Sequence, residues 1–189
     1  MPLEDRARWD ERYRDPKRDL FDRPRQLLID HLHLLPRKGV ALELAMGLGQ
    51  NTQPLLKHGL KVIGIDISPV AVRQAKRSNP DLMAIIADLN HFYFPSNYFD
   101  LILNFYYLQR DLWGEFSRML RPGGLLFFET LTQDIRKVRE DISPQYLLYP
   151  NELRAALSNW QILFYREGWI NSSRDRKKAV ASIVARKPI

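Results

Sequence analysis

The stretch Val40-Ala41-Leu42-Glu43-Leu44-Ala45-Met46-Gly47-Leu48-Gly49-Gln50-Asn51 decides how this chain is read. Its first five residues are apolar apart from Glu43, as suits a strand buried on both faces. They run straight into glycines that permit a sharp turn and the close approach of a ligand. The pattern of an apolar run followed by an acid returns twice, in Lys61-Val62-Ile63-Gly64-Ile65-Asp66 and in Leu82-Met83-Ala84-Ile85-Ile86-Ala87-Asp88. Carboxylates at the carboxyl ends of parallel strands line the crevice where open α/β sheets bind ligands.

Outward from this stretch, strands and helices alternate. The pattern predicts strands at 40–45, 61–66, 82–87, 99–104 and 125–130, with helices over 51–58, 70–78 and 111–120. Ser68 suits an N-cap and Pro69 a first helical residue, and Arg121-Pro122-Gly123-Gly124 is the turn into the fifth strand. Five such repeats argue for a parallel sheet covered by helices on both faces. Upstream, 3–15 and 23–35 read as helices separated at Asp15-Pro16, the second closed by Pro36 and Gly39. Downstream, a short helix at 150–157 precedes strands at 160–167 and 178–186, which are joined by a polar loop and so form an antiparallel hairpin. Residues 132–149, beyond the fifth strand, form an irregular insertion and a candidate lid.

Composition narrows the class. The 189 residues suit one full-sized domain, 1–189, in which 1–35 form a helical cap and 36–189 the core. No apolar run reaches the roughly 20 residues of a membrane span, and the amino terminus is charged, so a soluble, cytoplasmic protein is expected. The absence of cysteine excludes disulfides, thiolate metal sites and a cysteine nucleophile. His31, His33, His58 and His91 are scattered, and no metal site is expected. The net charge of +7 is spread along the chain. Its densest cluster, Arg174-Asp175-Arg176-Lys177-Lys178, has no interleaved aromatics and reads as a solvated hairpin loop rather than a nucleic-acid patch.

These residues resemble the class I S-adenosylmethionine-dependent methyltransferases. That family's first motif, acid-x-Gly-x-Gly-x-Gly, is matched by Glu43-Leu44-Ala45-Met46-Gly47-Leu48-Gly49, with Ala45 in place of one glycine. The acids ending strands two and three are matched by Asp66 and by Asp88 within Ala87-Asp88-Leu89, and the turn before strand five by Leu120 to Gly124. The closing hairpin also belongs to the family pattern, so the likeness covers about residues 36–189. It implies a Rossmann-like, seven-stranded, mostly parallel sheet with a C-terminal antiparallel hairpin.

The resemblance implies roles as well. Gly47 and Gly49, with Ala45 and Asn51 in the same turn, would pass against the amino-acid end of S-adenosylmethionine, and Glu43 would hold its cationic or N–H groups. Asp66 would accept from both ribose hydroxyls while Ile67 packs on the adenine. Asp88 would accept from the exocyclic amine, and the Leu89 N–H would meet a ring nitrogen. Asn104 would lie near the cofactor's amino group and transferring methyl. Arg8-Trp9-Asp10-Glu11-Arg12-Tyr13 resembles the Trp-x-x-x-Tyr entrance helix of small-molecule methyltransferases, whose aromatics, here Trp9 and Tyr13, attract a sulfonium. The alternative for the three acids is that they only cap the turns that follow them. For Trp9 and Tyr13 it is ordinary helix packing.

The expected reaction is direct methyl displacement onto a small-molecule acceptor, leaving S-adenosylhomocysteine. A soft, unprotonated nucleophile needs no base, consistent with the lack of an evident catalytic dyad. Asn151-Glu152-Leu153-Arg154-Ala155-Ala156-Leu157 with Trp160-Gln161-Ile162, and the closing Ala185-Arg186-Lys187, resemble the tellurite-resistance type. Three other readings compete. Dinucleotide oxidoreductases share the glycine turn and ribose acid, but here Thr52 stands where a further glycine is needed, and Glu43 would oppose a pyrophosphate. Their Tyr-x-x-x-Lys pair has a counterpart only at Tyr13 and Lys17, upstream of strand one. RNA or protein methylation is suggested by Asn104-Phe105-Tyr106-Tyr107, near the Asn-Pro-Pro-Tyr of base and glutamine methyltransferases, but both prolines are missing. A non-catalytic S-adenosylmethionine-binding module is the third.

Overall fold

The computed structural model describes residues 2–15, 23–171 and 177–189. Seven strands form one sheet: β1 (Val40–Leu44), β2 (Lys61–Asp66), β3 (Met83–Ile86), β4 (Phe99–Phe105), β5 (Leu120–Leu131), β6 (Gln161–Asn171) and β7 (Lys177–Arg186). Their order is β3-β2-β1-β4-β5-β7-β6. Strands β1 to β5 pair in parallel, and β7 runs antiparallel between β5 and β6. This is the expected fold class, a Rossmann-like seven-stranded sheet closed by an antiparallel hairpin.

Helices cover both faces because the central strands are apolar at successive positions. Phe127 and Phe128 are adjacent, so their rings point to opposite faces. Phe127 packs with Leu27, Leu28, Leu55, Val72, Ala75 and Leu103. Phe128 packs with Leu44, Ile102, Phe116, Met119 and Leu153. These layers belong to α2 (Gln26–Asp30), α3 (Thr52–His58) and α4 (Pro69–Ser78) on one side, and to α5 (Leu112–Met119) and α6 (Glu152–Ala156) on the other. Burying each of the larger side chains stabilises the fold by about 1.5–3 kcal/mol. Helix α1 (Pro2–Arg14) lies against α4. The Ser68 hydroxyl accepts from the Ala71 N–H at 3.1 Å, and Pro69 opens α4, as the sequence indicates.

Several boundaries differ from expectation, among them that of β6, which runs on from 167 to Asn171. The helix read over 23–35 is only α2, followed by a 3-10 turn at Leu32–Leu34. His31 breaks it: the ring nitrogen Nδ1 bonds the Leu27 carbonyl at 2.9 Å, and the ring packs 4.7 Å from that of Phe164. Helix 150–157 narrows to α6, because Asn151 takes the left-handed region at φ 60°. Strand β5 extends back through the glycine turn to Leu120. Strand β3 stops at Ile86, two residues short of Asp88. Pro16, Lys17 and 174–176, and with them the predicted break at 15–16 and most of the basic loop, lie outside the described residues.

Residues 132–149 fold onto the sheet instead of standing off it. Ile135, Leu147 and Leu148 are buried, the Thr132 N–H donates to the Ala179 carbonyl and the Leu148 N–H to that of Leu131, each at 3.0 Å. Arg110 fastens the segment. Its Nε and Nη2 donate to the Glu152 carboxylate at 2.7 and 2.9 Å, and Nη1 and Nη2 donate to the carbonyls of Gln145 and Leu147, each at 3.0 Å. Glu152 in turn accepts from the Tyr149 N–H at 2.8 Å. Among the described residues, no helix is long and apolar enough to cross a membrane.

Candidate functional site

The strand order reverses between β1 and β4, and at such a point the loops on either side diverge to leave a crevice at the carboxyl ends of the strands. Three consecutive odd positions after β1 are left-handed: Ala45 at φ 48°, Gly47 at 58° and Gly49 at 69°. For Ala45 that conformation costs about 1 kcal/mol, which the Met46 N–H to Ile65 carbonyl bond of 3.0 Å helps offset. The outcome is a tight loop whose backbone faces the crevice. A Cβ on Gly47 would stand 2.9 Å from the Tyr13 hydroxyl, so this turn is also the seat of α1.

Glu43 is the most buried of the three acids, 2% exposed. Its Oε1 accepts from Asn51 Nδ2 at 2.7 Å, while Oε2 is buried without a partner. Burial lifts its pKa to about 7, against the Asn51 hydrogen bond and the nearby Arg25 charge. Asn51 has both ends engaged, since its Oδ1 accepts from the Arg25 N–H at 2.8 Å. It therefore fixes Glu43 and ties β1 to the segment before α2.

Asp66 ends β2, and its two oxygens accept from the N–H groups of Ser68 at 2.9 Å and Gly47 at 2.8 Å. Burial raises its pKa, and those bonds hold it down. Ile67, beside it, is half-buried. Asp88 caps a 3-10 turn over Leu89–His91 by accepting from Asn90 N–H at 3.0 Å, and its other oxygen meets His91 Nδ1 at 3.1 Å. The turn-capping reading is thus realised at Asp66 and Asp88. It does not exclude a ligand, because each carboxylate oxygen has two lone pairs.

Asn104, the penultimate residue of β4 and beside Leu44 in register, is wholly buried. Its Nδ2 donates to the Tyr107 carbonyl at 2.7 Å, and its Oδ1 has no partner. Tyr106 closes that turn in the left-handed region at φ 58°. The tight turn that two prolines would supply is made here by a strained tyrosine and an asparagine side chain.

Helix α1 reaches the same place. Asp10 accepts from the Ser68 hydroxyl, and from the Val70 N–H at 3.3 Å. The Tyr13 carbonyl accepts from Gln74 Nε2 at 3.3 Å. Trp9 and Tyr13 stack at 5.7 Å, Arg12 lies over the Trp9 ring, and burial together with the Asp66 charge raises the Tyr13 pKa. Expected residues from α1, β1, β2 and β4 therefore converge, while Asp88 and Leu89 lie in the turn beyond the end of β3.

Four residues that sequence reasoning passed over also stand here. Asp10 ties α1 to α4. Arg25 holds its guanidinium 4.6 Å over the Tyr106 ring, with Nε buried and unpartnered. Tyr106 donates its hydroxyl to Glu129 Oε1 at 3.0 Å, and Glu129 Oε2 accepts from the Ser182 hydroxyl at 2.7 Å. Glu129 was findable: Leu125-Leu126-Phe127-Phe128-Glu129 is another apolar run ending in an acid. Arg25 and Tyr106 carry no comparable signal.

Known proteins fit this architecture. Residues 42–128 match the family described as methyltransferase domain. The demethylmenaquinone methyltransferase of Renibacterium salmoninarum is 30% identical over 107 residues, 54% of this chain and 45% of that protein. The chain thus spans about half the length of that curated relative. Among solved structures, a S-adenosylmethionine-dependent methyltransferase from Methanosarcina mazei superposes with a TM-score of 0.70 at 17% identity, covering 88% of this chain and 99% of that one. TehB from Haemophilus influenzae superposes at 0.73 with 17% identity, over 87% of this chain and 62% of that one. At such identities the two structures bear on the fold alone. Residues 42–128, a little under half of this chain, thus match a methyltransferase domain, on a sheet that superposes on that of S-adenosylmethionine-dependent methyltransferases.

Proposed function

We propose that this domain transfers a methyl group from S-adenosylmethionine to a small-molecule acceptor by direct displacement. The observation that carries the reading is Glu43 Oε2, buried and unpartnered beside the crevice. An orphaned buried acceptor costs about 1–3 kcal/mol, and a cationic amino group removes that cost. Arg25, whose Nε is likewise buried and unpartnered and whose charge acts on Glu43, suits the carboxylate of the same amino-acid end. Together they match a zwitterion, with Asn51 holding both in place.

The remaining assignments follow from position. Asp66, with free lone pairs at the end of β2, would receive the ribose hydroxyls, and Ile67 the adenine face. Asp88 and Leu89 would receive the adenine edge. The left-handed turn Ala45 to Gly49 gives the backbone room to approach, and Trp9 and Tyr13 of α1 present rings to a positive centre. When bound, the cofactor supplies an activated methyl group on a sulfonium. The protein's task is alignment and exclusion of water.

A small acceptor is favoured by the curated relatives, named for demethylmenaquinone. The local likeness to the tellurite-resistance type at 151–162 points the same way. Calorimetry with S-adenosylmethionine, S-adenosylhomocysteine and NAD tests the reading: the first two bind and the third does not. Binding of NAD alone, or of none, overturns it.

A further inference from the structure

We infer that the acceptor carries a hydroxyl group, and that Tyr106 with Glu129 behind it takes the proton which that hydroxyl loses on methylation. The inference rests on the proposed function and deepens it by naming the acceptor class. It starts from a conformational outlier. Tyr106 is a bulky residue at φ 58°, a geometry costing about 1–3 kcal/mol that persists only where surrounding contacts enforce it. The ring packs against the apolar layer that holds Phe127, and polar contacts fix the rest. The Tyr106 N–H donates to the Glu129 carbonyl at 2.8 Å, and its hydroxyl donates to Glu129 Oε1 at 3.0 Å. Arg25 lies 4.6 Å from the ring centroid and Lys178 Nζ 4.7 Å.

Glu129 is 5% exposed at the carboxyl end of β5, an expensive place for a carboxylate with no task. Ser182 donates to its Oε2 at 2.7 Å, and Arg166 Nη2 stands 3.7 Å from the same oxygen. Tyr106 is half-buried and Glu129 buried, so Tyr106 is the more exposed member of the pair. Burial and the Glu129 charge raise the Tyr106 pKa, keeping it a neutral hydroxyl that both accepts and donates. Arg25 connects this pair to the cofactor end, since its own N–H bonds Asn51, which bonds Glu43.

The step balances. The acceptor oxygen forms its bond to the methyl carbon as the carbon–sulfur bond breaks, leaving the electron pair on sulfur. The acceptor proton passes to the Tyr106 oxygen while the Tyr106 proton passes to Glu129. A cation and a carboxylate become a thioether and a neutral acid, and the acid then releases its proton to water. A soft anion such as hydrosulfide or iodide has no use for this pair.

The test uses the full chain, a panel of phenol, catechol and hydroquinone as hydroxyl acceptors, and hydrosulfide and iodide as anionic ones. At pH 7 the hydroxyl panel contains substrates for the native protein. Turnover of them falls at least tenfold in Glu129→Gln and in Tyr106→Phe, and Glu129→Gln recovers towards pH 10, where a phenol ionises unaided. Without any turnover, the best hydroxyl acceptor binds the S-adenosylhomocysteine-saturated Tyr106→Phe protein about tenfold more weakly than the native one, as loss of one hydrogen bond predicts. Both variants keep their affinity for S-adenosylhomocysteine, which shows that they are folded. Failure of the native protein to bind that product overturns the proposed function. Retained product binding overturns only the present inference if methyl goes to the anions and to no hydroxyl, if no acceptor in the panel is methylated, or if both variants match the native rate and pH profile.

Discussion

The two sides of the crevice are built on opposite terms. On the β2 and β3 side, the carboxylates of Asp66 and Asp88 are met by backbone N–H groups and neighbouring side chains. On the β1 and β4 side, Glu43 Oε2 and Asn104 Oδ1 are buried without partners. A fold keeps its capped turns whether or not a ligand comes. It tolerates orphaned acceptors at a cost of about 1–3 kcal/mol each, and that cost turns into binding energy when a donor arrives. The β2 side is therefore architecture that also serves a ligand, whereas the β1 side is ready for one at the expense of stability.

Asp66→Ala tests the first half of that contrast and should have the largest effect. It strips partners from the N–H groups of Gly47 and Ser68, so it should weaken S-adenosylmethionine at least 100-fold and also lower the melting temperature by roughly 5 °C. Calorimetry and thermal melts of one preparation check both. Loss of binding with an unchanged melt would remove the architectural role.

Glu43→Gln should do the reverse to stability. Because burial raises the Glu43 pKa from 4.5 to about 7, its protonated form is favoured in the folded state. Stability from this group is full below about 4.5, declines as pH rises to about 7 and is flat above, a total of about 3 kcal/mol at 1.36 kcal/mol per unit. Glu43→Gln should flatten that slope in melts at pH 5 and pH 8, and raise the melting temperature at pH 8. Its affinity for S-adenosylmethionine should fall about tenfold. In the native protein that affinity should rise with pH up to about 7, as the carboxylate forms, and then level off.

Asp88→Asn sets the lower end of the scale. An asparagine oxygen caps the Leu89–His91 turn almost as well, so stability should change by less than about 1 kcal/mol and affinity by only a few fold. A change as large as that of Asp66→Ala would show that the outer acid matters as much as the inner one.

The same division decides how much was legible from residues alone. The capped acids follow apolar runs and precede turn residues, so local rules find both strand and cap; Ser68 and Pro69 are the clearest case. Glu43 was found the same way, but its missing partner depends on the packing of Asn51 and Arg25 around it, which no local pattern encodes. Arg25 lies in a charged stretch where a solvated side chain is the default, and its place over Tyr106 comes from the short α2 that His31 cuts off. Tyr106 was missed because a tyrosine is a poor candidate for a left-handed turn, and a glycine there would have drawn notice.

Arg110 shows how one side chain can gather the end of a segment, from Gln145 to Tyr149. One guanidinium meets the carbonyls of Gln145 and Leu147 and the Glu152 carboxylate, which itself secures Tyr149. A lysine brings the same charge but three donors on one atom, and one atom cannot stand at four separated acceptors. An Arg-to-Lys change at this position is conservative in charge alone: it leaves carbonyls on both sides of Tyr146 unsatisfied at once. The segment keeps its buried residues and its bonds to the sheet, but the stretch from Gln145 to Tyr149 depends on a position with no part in the chemistry.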